Sequence, residues 1–431
     1  MVKLLLAMLI IGISAYCIYK DTIVFVAMYG FFADPYAAQG ITGYLCGGFP
    51  YYSVIMDSML LGATVFTILQ LTKDKNRTRK EYGLLGACHI SFIAVSVIIS
   101  YAINRVEILS NFAWPFSNFV PLSLFLLIGY DKRQRAKQVF DKYLKFSILL
   151  SALIVYLPTV GIDFLSQLSG ANYVSDGFAY NNNVAGLNNF YEAFIRKYYF
   201  NGLGQFHNGN GMGFFGGVGI FWSAYRYQKE SGIWKKITEV AFFAMSVLLW
   251  CNGSARAGIL GIVLGIGLFV IYGKAKIKIK ALSLMTLLIG LTVALCNNKL
   301  LSFMFVDSGN ISVTSRTILR RNAISYLQDN WLMGNGGLLG DLTRAGVDPH
   351  ELPLRIACLF GVVPSLLTIL MIYVIPGKHI VNGTNRSLLS FVFFSIFSLI
   401  TLTNNFTCII LSSFILYIAM LEVKLVNADT A

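Results

Sequence analysis

Three arginines in the second half of the chain have the residue type and spacing to bind a phosphate group. Arg316, Arg320 and Arg321 lie in VTSRTILRRNAISYLQDNW at 313–331, where apolar residues recur at helical spacing. Arg316 and Arg320 are four residues apart and share one face of that helix, whereas Arg321 lies farther round it. Arginine stays charged and binds phosphate through a two-pronged fork. The stretch therefore predicts a phosphate or diphosphate site, with a solvated basic helix face as the alternative.

The start of this helix strengthens the prediction. Thr314 or Ser315 is the expected N-cap, which would place Arg316 in the first turn. A helix N-terminus presents unbonded backbone N–H groups and a partial positive charge, and both favour a bound anion. An anion held by Arg316 would therefore also meet the helix end.

Two further basic segments are candidates for the same chemistry. Arg256 lies in NGSARAG at 252–258, a polar break between two strongly apolar runs. It would either bind an anion inside the protein or reach lipid headgroups. Arg196 and Lys197, in FIRKYYF, would bind an anionic glycan or lipid phosphate, with a surface amphipathic helix as the equal alternative.

His350 is the candidate catalytic base. It follows a glycine-rich segment and, with Glu351, directly precedes an apolar run. Histidine is the side chain best suited to accept a proton near neutral pH. A structural histidine at a membrane surface is the alternative interpretation. His207, in FHNGNGMGFF, is the second candidate, although the surrounding glycines also suit close helix packing.

The sequence disfavours metal and nucleotide chemistry. No Asp-x-Asp pair occurs in the polar segments 164–208 and 298–352, and no His/Asp/Glu cluster has metal-ligand spacing. No segment matches a P-loop, a dinucleotide-binding glycine motif or a Gly-x-Ser-x-Gly motif. The seven cysteines include no Cys-x-x-Cys pair, which predicts neither a disulfide framework nor a zinc site. We expect no cofactor and no metal.

The composition indicates which class of protein positions these residues. Hydrophobic residues make up 56% of the 431 residues and charged residues 13%, whereas soluble domains carry about 25% charged residues. Several apolar runs approach the roughly 20 residues that cross a bilayer: 3–20, 51–72, 84–103, 112–130, 144–163, 209–225, 238–252, 257–273, 281–297, 353–375, 387–403 and 406–423. We predict an all-α polytopic integral membrane protein, a single transmembrane domain over 1–431 with about twelve transmembrane helices.

The positions of the basic residues predict the orientation. The short connections 73–83, 131–143, 226–237, 274–280 and 376–386, with their flanks and both termini, hold 23 of the 34 Lys and Arg residues. Cytoplasmic loops carry such an excess. Both termini are therefore predicted to be cytoplasmic, and the net charge of +14 reflects topology, with no need for a nucleic-acid partner.

Two long connections, 164–208 and 298–352, then face outward. Loops longer than about 15 residues without structure are uncommon unless they are functional or disordered. Together these two contain Trp, Tyr, Phe and Leu residues, so we expect helical structure in both. They would fold over the outer mouth of the helix bundle.

Three segments, in order along the chain, resemble motifs of the O-antigen ligase and polymerase family. They are SARAG at 254–258, TSRTILRRNAI at 314–324 followed by DNWLMGNGG at 329–337, and DPHELPLRIACLFGVV at 348–363. Glu351 departs from the pattern because the family usually has Asn at that place. The resemblance therefore leaves the role of that side chain open.

The resemblance implies a membrane glycosyltransferase of GT-C-like fold in the bacterial inner membrane. It would join undecaprenyl-diphosphate-linked oligosaccharides, as donor and acceptor, on the periplasmic face without a metal and with inversion. Catalysis would fall to His350, Arg256 and Arg316, and substrate binding to Arg320, Arg321, Arg196, Lys197, Glu351 and His207. The segments 164–208 and 298–352 would be the first and second large periplasmic loops, with the active site in the second.

Three functions stay open at this point. Two basic outer loops favour a polymerase, which uses a second lipid-linked repeat unit as acceptor, over a ligase, which uses the lipid A core. The implied partners are the lipid bilayer and a chain-length regulator protein. A transporter or flippase for an anionic lipid-linked substrate is the alternative from another class, with Asp57 and His89 as its buried ionisable candidates.

Overall fold

Helices occupy the apolar runs wherever the structure describes them. The computed structural model describes residues 2–22, 24–25, 52–73, 83–104, parts of 138–152, 209–253, 256–296, 309–338, 342, 344–349, 351–382 and 386–403. All regular secondary structure in these residues is helical, which confirms the all-α prediction for this part of the chain. The predicted runs 112–130 and 406–423 and the long connection 164–208 lie outside the described residues.

The helices in chain order are α1 Val2–Lys20, α2 Tyr52–Lys73, α3 Gly83–Asn104, α4 Gly209–Lys229, α5 Ile233–Gly253, α6 Arg256–Tyr272, α7 Ile277–Cys296, α8 Gly309–Asn330, α9 Leu352–Phe360, α10 Val362–Ile369, α11 Ile375–Asn382 and α12 Leu388–Thr403. A π-helical turn, Leu370–Val374, joins α10 to α11 without interrupting the helix.

In the part of the chain that the structure describes, two helical segments are long and apolar enough to cross a membrane. They are Leu84–Ala102 and Val362–Asn382. Shorter apolar helical stretches cover Ala7–Lys20, Ala257–Tyr272 and Leu388–Thr403. The described residues are thus compatible with a membrane protein, while the twelve-span topology and its orientation stay predictions.

The chain divides into two units. The first comprises Met1–Asn76, Ile128–Ile259 and Thr407–Ile418, and the second Arg77–Leu127, Leu260–Phe406 and Ala419–Ala431. In the first unit α4 and α5 form a helical hairpin, and α1 packs against α2. Trp222 and Phe215 of α4 are fully buried and contribute to the core of this unit.

A cluster of charged residues lies inside the first unit. Asp141 and Lys145, from the 138–152 segment, meet Arg226 of α4 and Glu239 of α5. Lys145 forms an ion pair with Glu239, whose side chain is almost fully buried, and lies 3.2 Å from Asp141. Trp222 Nε1 donates a hydrogen bond to Asp141 Oδ1 at 2.8 Å. These contacts join three parts of the chain through matched charges.

In the second unit α12 packs against α9 and α11, and α6 lies against α12. Gly261 and Gly265, four residues apart on α6, form that contact: added Cβ atoms would lie 2.5 Å from Ile396 Cα and 2.6 Å from Val392 Cα. Small residues at this spacing let two helix backbones approach closely. Phe269 of α6 then packs on Phe391, with ring centroids 6.4 Å apart.

The apolar run 353–375 is not the single helix that the sequence predicts. α9 ends at Phe360, Gly361 has φ 95°, and α10 begins at Val362. A residue with positive φ cannot continue a right-handed helix, and glycine adopts that conformation without steric cost. The helical path then continues through the π turn to Asn382, seven residues beyond the predicted end.

Candidate active site

The arginines of the predicted phosphate site lie on α8. This helix starts at Gly309, so the prediction of an N-cap at Thr314 or Ser315 is wrong. Serine and threonine cost only a few tenths of a kcal/mol in a helix interior, and the helix continues through them. Arg316 therefore lies about 10 Å from the helix start. Its charge is retained, but the end of the helix cannot assist it in binding an anion.

Arg316 and Arg321 are available to a ligand. Arg316 is half-buried and Arg321 is exposed. Within the described part of the chain, no carboxylate forms an ion pair with either guanidinium. Each of these charges suits a phosphate group. Arg316 and Arg321 are five residues apart, about 140° around the helix axis, so both contact one diphosphate only if their long side chains reach round the helix.

Arg320, between them in sequence, has a partner. Its Nε donates a hydrogen bond to Glu351 Oε1 at 2.7 Å, and its Nη2 bonds the same oxygen. The hydrogen bond and the negative charge of Glu351 raise the pKa of the Arg320 guanidinium above its already high value. The contact ties α8 to the residue that directly precedes α9.

The sequence analysis missed a second arginine–carboxylate pair. Arg355 of α9 lies in a run read as apolar, yet its Nη2 bonds Asp348 Oδ2 at 2.9 Å and its Nε lies 2.6 Å from Asp348 Oδ1. The Arg355 side chain is only 5% exposed. A lone arginine inside an apolar run is rare because burying a charge is costly unless it is paired, and that rule could have identified it.

A glycine-rich turn, 331–337, connects α8 to the break after α9. Gly334, with φ 59°, lies in this turn, and its N–H bonds the carbonyl of Asn330, the last residue of α8, at 3.0 Å. Three backbone hydrogen bonds then join turn and break: Asn335 N to Cys358 O at 3.0 Å, Gly337 N to Leu359 O at 2.9 Å and Val362 N to Trp331 O at 2.8 Å. The carbonyls that the interrupted helix leaves open thus receive donors from the turn.

Serines of α3 hold this turn from another side. Ser96 Oγ donates to Met333 O at 2.7 Å, and Ser100 Oγ donates to Asn335 O at 3.0 Å. Asn322 of α8 donates through Nδ2 to Gly346 O at 2.9 Å. The helix that carries the arginines is therefore connected to the segment before α9 at two points, through Asn322 and through the Arg320–Glu351 contact.

The structure brings only some of the predicted site residues together. It joins Arg320 to Glu351 and places Arg316 and Arg321 on the same helix. Arg256 is the first residue of α6, directly after the predicted break; the placement of its side chain is outside the described residues. The other predicted site residues also lie outside them: His350, His207, Arg196 and Lys197.

Among the described residues, no group of three or more His, Cys, Asp or Glu side chains is arranged to hold a metal ion.

Comparison with models of known protein families finds none that matches this chain, and comparison with curated proteins finds no significant match.

Proposed function

We propose that the protein is a membrane glycosyltransferase that polymerises undecaprenyl-diphosphate-linked oligosaccharide repeat units. The observation that carries the proposal is the row of arginines on α8, two of them without a carboxylate partner in the described residues. The third, Arg320, contacts Glu351, the sequence neighbour of the candidate base His350. Cationic groups and a base suit departure of a diphosphate and attack by a sugar hydroxyl.

The proposal includes a polytopic topology of about twelve spans, with both termini cytoplasmic and the reaction on the periplasmic face of the bacterial inner membrane. The distribution of Lys and Arg supports it. Large apolar side chains exposed along the helices support it too: Leu5 and Leu9 on α1 and Leu282 and Leu288 on α7 are more than half exposed. Extended exposed apolar surface of this kind is typical of contact with lipid or with another protein.

In the proposed reaction an acceptor sugar hydroxyl attacks the anomeric carbon of the donor. The new C–O bond forms as the bond to the diphosphate oxygen breaks, and His350 takes the hydroxyl proton. Arg316 and Arg321 would stabilise the negative charge that develops on the departing diphosphate, and Arg256 is a further residue that the sequence predicts for this role. A single displacement inverts the anomeric centre, so an α-linked donor gives a β-linked product.

Transport is the competing function. The helix break at Gly361 resembles the discontinuous helices with which transporters bind ions. In this chain, however, the carbonyls of Cys358 and Leu359 at the break already accept hydrogen bonds from the 331–337 turn. His89, fully buried on α3, lies 2.9 Å from Thr368 Oγ1 of α10 and serves helix packing in this interpretation. These contacts favour group transfer over transport.

The decisive experiment incubates the purified protein, with EDTA present, with one lipid-diphosphate-linked repeat unit and no other acceptor. A ladder of longer lipid-linked glycans is the expected result, and His350→Ala should abolish it. Transfer that requires added lipid A core would instead identify a ligase. No transfer under either condition, together with lipid-linked glycan movement in liposomes, would identify a transporter.

A further inference from the structure

Two arginine–carboxylate pairs flank position 350 in the sequence. Glu351, on one side, is bonded to Arg320 of α8, and Asp348, on the other, is bonded to Arg355 of α9. Both carboxylates are largely buried, each with a side chain 15% exposed. The chain immediately before and after this position is thus held by charged contacts to two different helices.

The Glu351 side chain bonds Arg320 of another helix and does not bond the N–H groups at the start of its own helix. Glu351 occupies the N-cap position of α9, with φ −90° and ψ 125°, and its carbonyl accepts the first helical bond from Arg355 N at 2.9 Å. The short side chains of Asp, Asn, Ser and Thr at an N-cap ordinarily bond the helix's own N–H groups. The longer Glu351 side chain makes no such bond, and Pro353 removes one of the donors at this helix start. The carboxylate reaches across to α8 instead.

We propose that Arg320 and Arg355 are positioning residues for the 348–351 segment, and that Arg320 is not an anion ligand. The inference rests on the proposed glycosyl transfer, in which this segment carries the base. If Arg320 turned to a diphosphate, Glu351 would be left as a largely buried carboxylate without that partner, which is unfavourable. The diphosphate is therefore bound by Arg316 and Arg321, which have no carboxylate partner among the described residues.

Adjacent arginines provide the matched comparison. The dissociation constant for undecaprenyl diphosphate is measured in a His350→Ala background, where no turnover occurs, and kcat is measured in the otherwise unchanged protein. Arg320→Ala should keep the dissociation constant within about twofold and lower kcat by about 10- to 100-fold, the usual effect of a misplaced catalytic group. Arg321→Ala should raise the dissociation constant by about tenfold or more, since it removes a charge-assisted contact.

Substitutions of the carboxylates test the pairs themselves. Glu351→Gln keeps an oxygen that accepts the Arg320 hydrogen bond and should retain most of the kcat that Glu351→Ala loses. The double variant Arg320→Glu with Glu351→Arg restores an ion pair and should recover kcat relative to Arg320→Ala. Asp348→Asn preserves the shape of the pair and avoids the folding defect expected of an Arg355 substitution. It should lower kcat without changing carrier binding.

Two outcomes would overturn the inference. In the first, Arg320→Ala weakens undecaprenyl diphosphate binding as much as Arg321→Ala does, and Glu351→Ala strengthens it; Arg320 would then be a ligand and Glu351 its competitor. In the second, kcat per folded molecule is unchanged in Arg320→Ala and Asp348→Asn. If the unaltered protein transfers no glycan at all, the proposed function fails, while the binding comparison still decides whether Arg320 is an anion ligand.

Discussion

The two charged regions of the molecule differ in how their charges are matched. In the first unit Lys145 meets Asp141 and Glu239, and Arg226 lies 3.6 Å from Asp141 and 3.9 Å from Glu239. Glu230 and the exposed Lys235 extend the cluster, which gives three acidic and three basic residues among those that the structure describes. Opposite charges in contact around the buried Glu239 indicate a structural role, because neighbouring cations compensate the desolvated carboxylate.

The α8 region of the second unit has an excess of positive charge. Arg320 and Arg355 are each matched by one carboxylate, but Arg316 and Arg321 are not matched within the described residues. Cations without internal partners attract anions from outside the protein. The comparison suggests a general distinction: matched charges hold helices together, whereas unmatched charges on a rigid element are available to a ligand.

Removing one member of the matched cluster should have the largest effect on stability. Lys145→Met leaves the buried Glu239 carboxylate without its closest cation and should lower the free energy of unfolding by about 3 kcal/mol or more. Denaturant unfolding in detergent micelles, followed by tryptophan fluorescence, measures it. Adding Glu239→Leu should restore most of the loss. If Lys145→Met alone unfolds like the unaltered protein, the cluster does not stabilise the first unit.

Substitution of an unmatched arginine should reduce activity and leave stability unchanged. Arg316→Ala should lower glycosyl transfer by about 10²- to 10³-fold, as loss of a charge-stabilising group does at other active sites, with unfolding unchanged. Arg316→Lys should give intermediate activity because the charge remains without the fork. Glycosyl transfer and the free energy of unfolding are measured on the same purified sample. A normal product ladder from Arg316→Ala would remove this residue from the site and with it the contrast between the two regions.

The connection between the 331–337 turn and the helix break can be tested at Gly361. Gly361→Ala should lower the free energy of unfolding by about 1–3 kcal/mol, the cost of a strained backbone conformation. The reason is its φ of 95° together with an added Cβ that would collide with Leu332 O. Gly267→Ala in α6, where a Cβ meets no atom within 4 Å, is the control and should not destabilise. Equal unfolding of the two variants would show that the turn does not restrain the break.

The smallest effect is expected at the edge of the matched cluster. Lys235 is 75% exposed and lies 3.7 Å from Glu230. Lys235→Ala should change the free energy of unfolding by less than about 0.5 kcal/mol, because exposed ion pairs contribute little. The same unfolding assay as for Lys145→Met makes the two values comparable. A loss as large as that of Lys145→Met would mean that burial does not set the strength of these pairs.

The positions of the helices could be predicted from the sequence because hydropathy is a local property. The runs 84–103, 257–273 and 387–403 correspond closely to α3, α6 and α12. The helical content expected in the 298–352 connection is confirmed by α8. The start of α8 was misplaced because threonine and serine are compatible with both a cap and a helix interior, so the local pattern does not distinguish them.

The arrangement of the site could be predicted less well from the sequence because it depends on contacts between residues that are distant in the chain. The break at Gly361 is defined by hydrogen bonds to a turn almost thirty residues earlier, and a glycine in an apolar run equally suits helix packing. The Asp348–Arg355 pair was missed because average hydropathy conceals one charge among apolar neighbours. Two adjacent arginines also look alike in the sequence. It could not be predicted that Arg320 has a carboxylate partner, whereas Arg321 has none among the described residues.

The hydrogen bonds at the Gly361 break also have a consequence for the order in which the protein is made. Open carbonyls at the end of α9 would be costly in an apolar environment. Their donors are on the 331–337 turn, and the serines that hold the turn are on α3, so each support is synthesised before the part that needs it. A ribosome adding about 5–20 residues per second would deliver α3, then the turn, then the interrupted helix. The break can thus be capped as soon as it emerges.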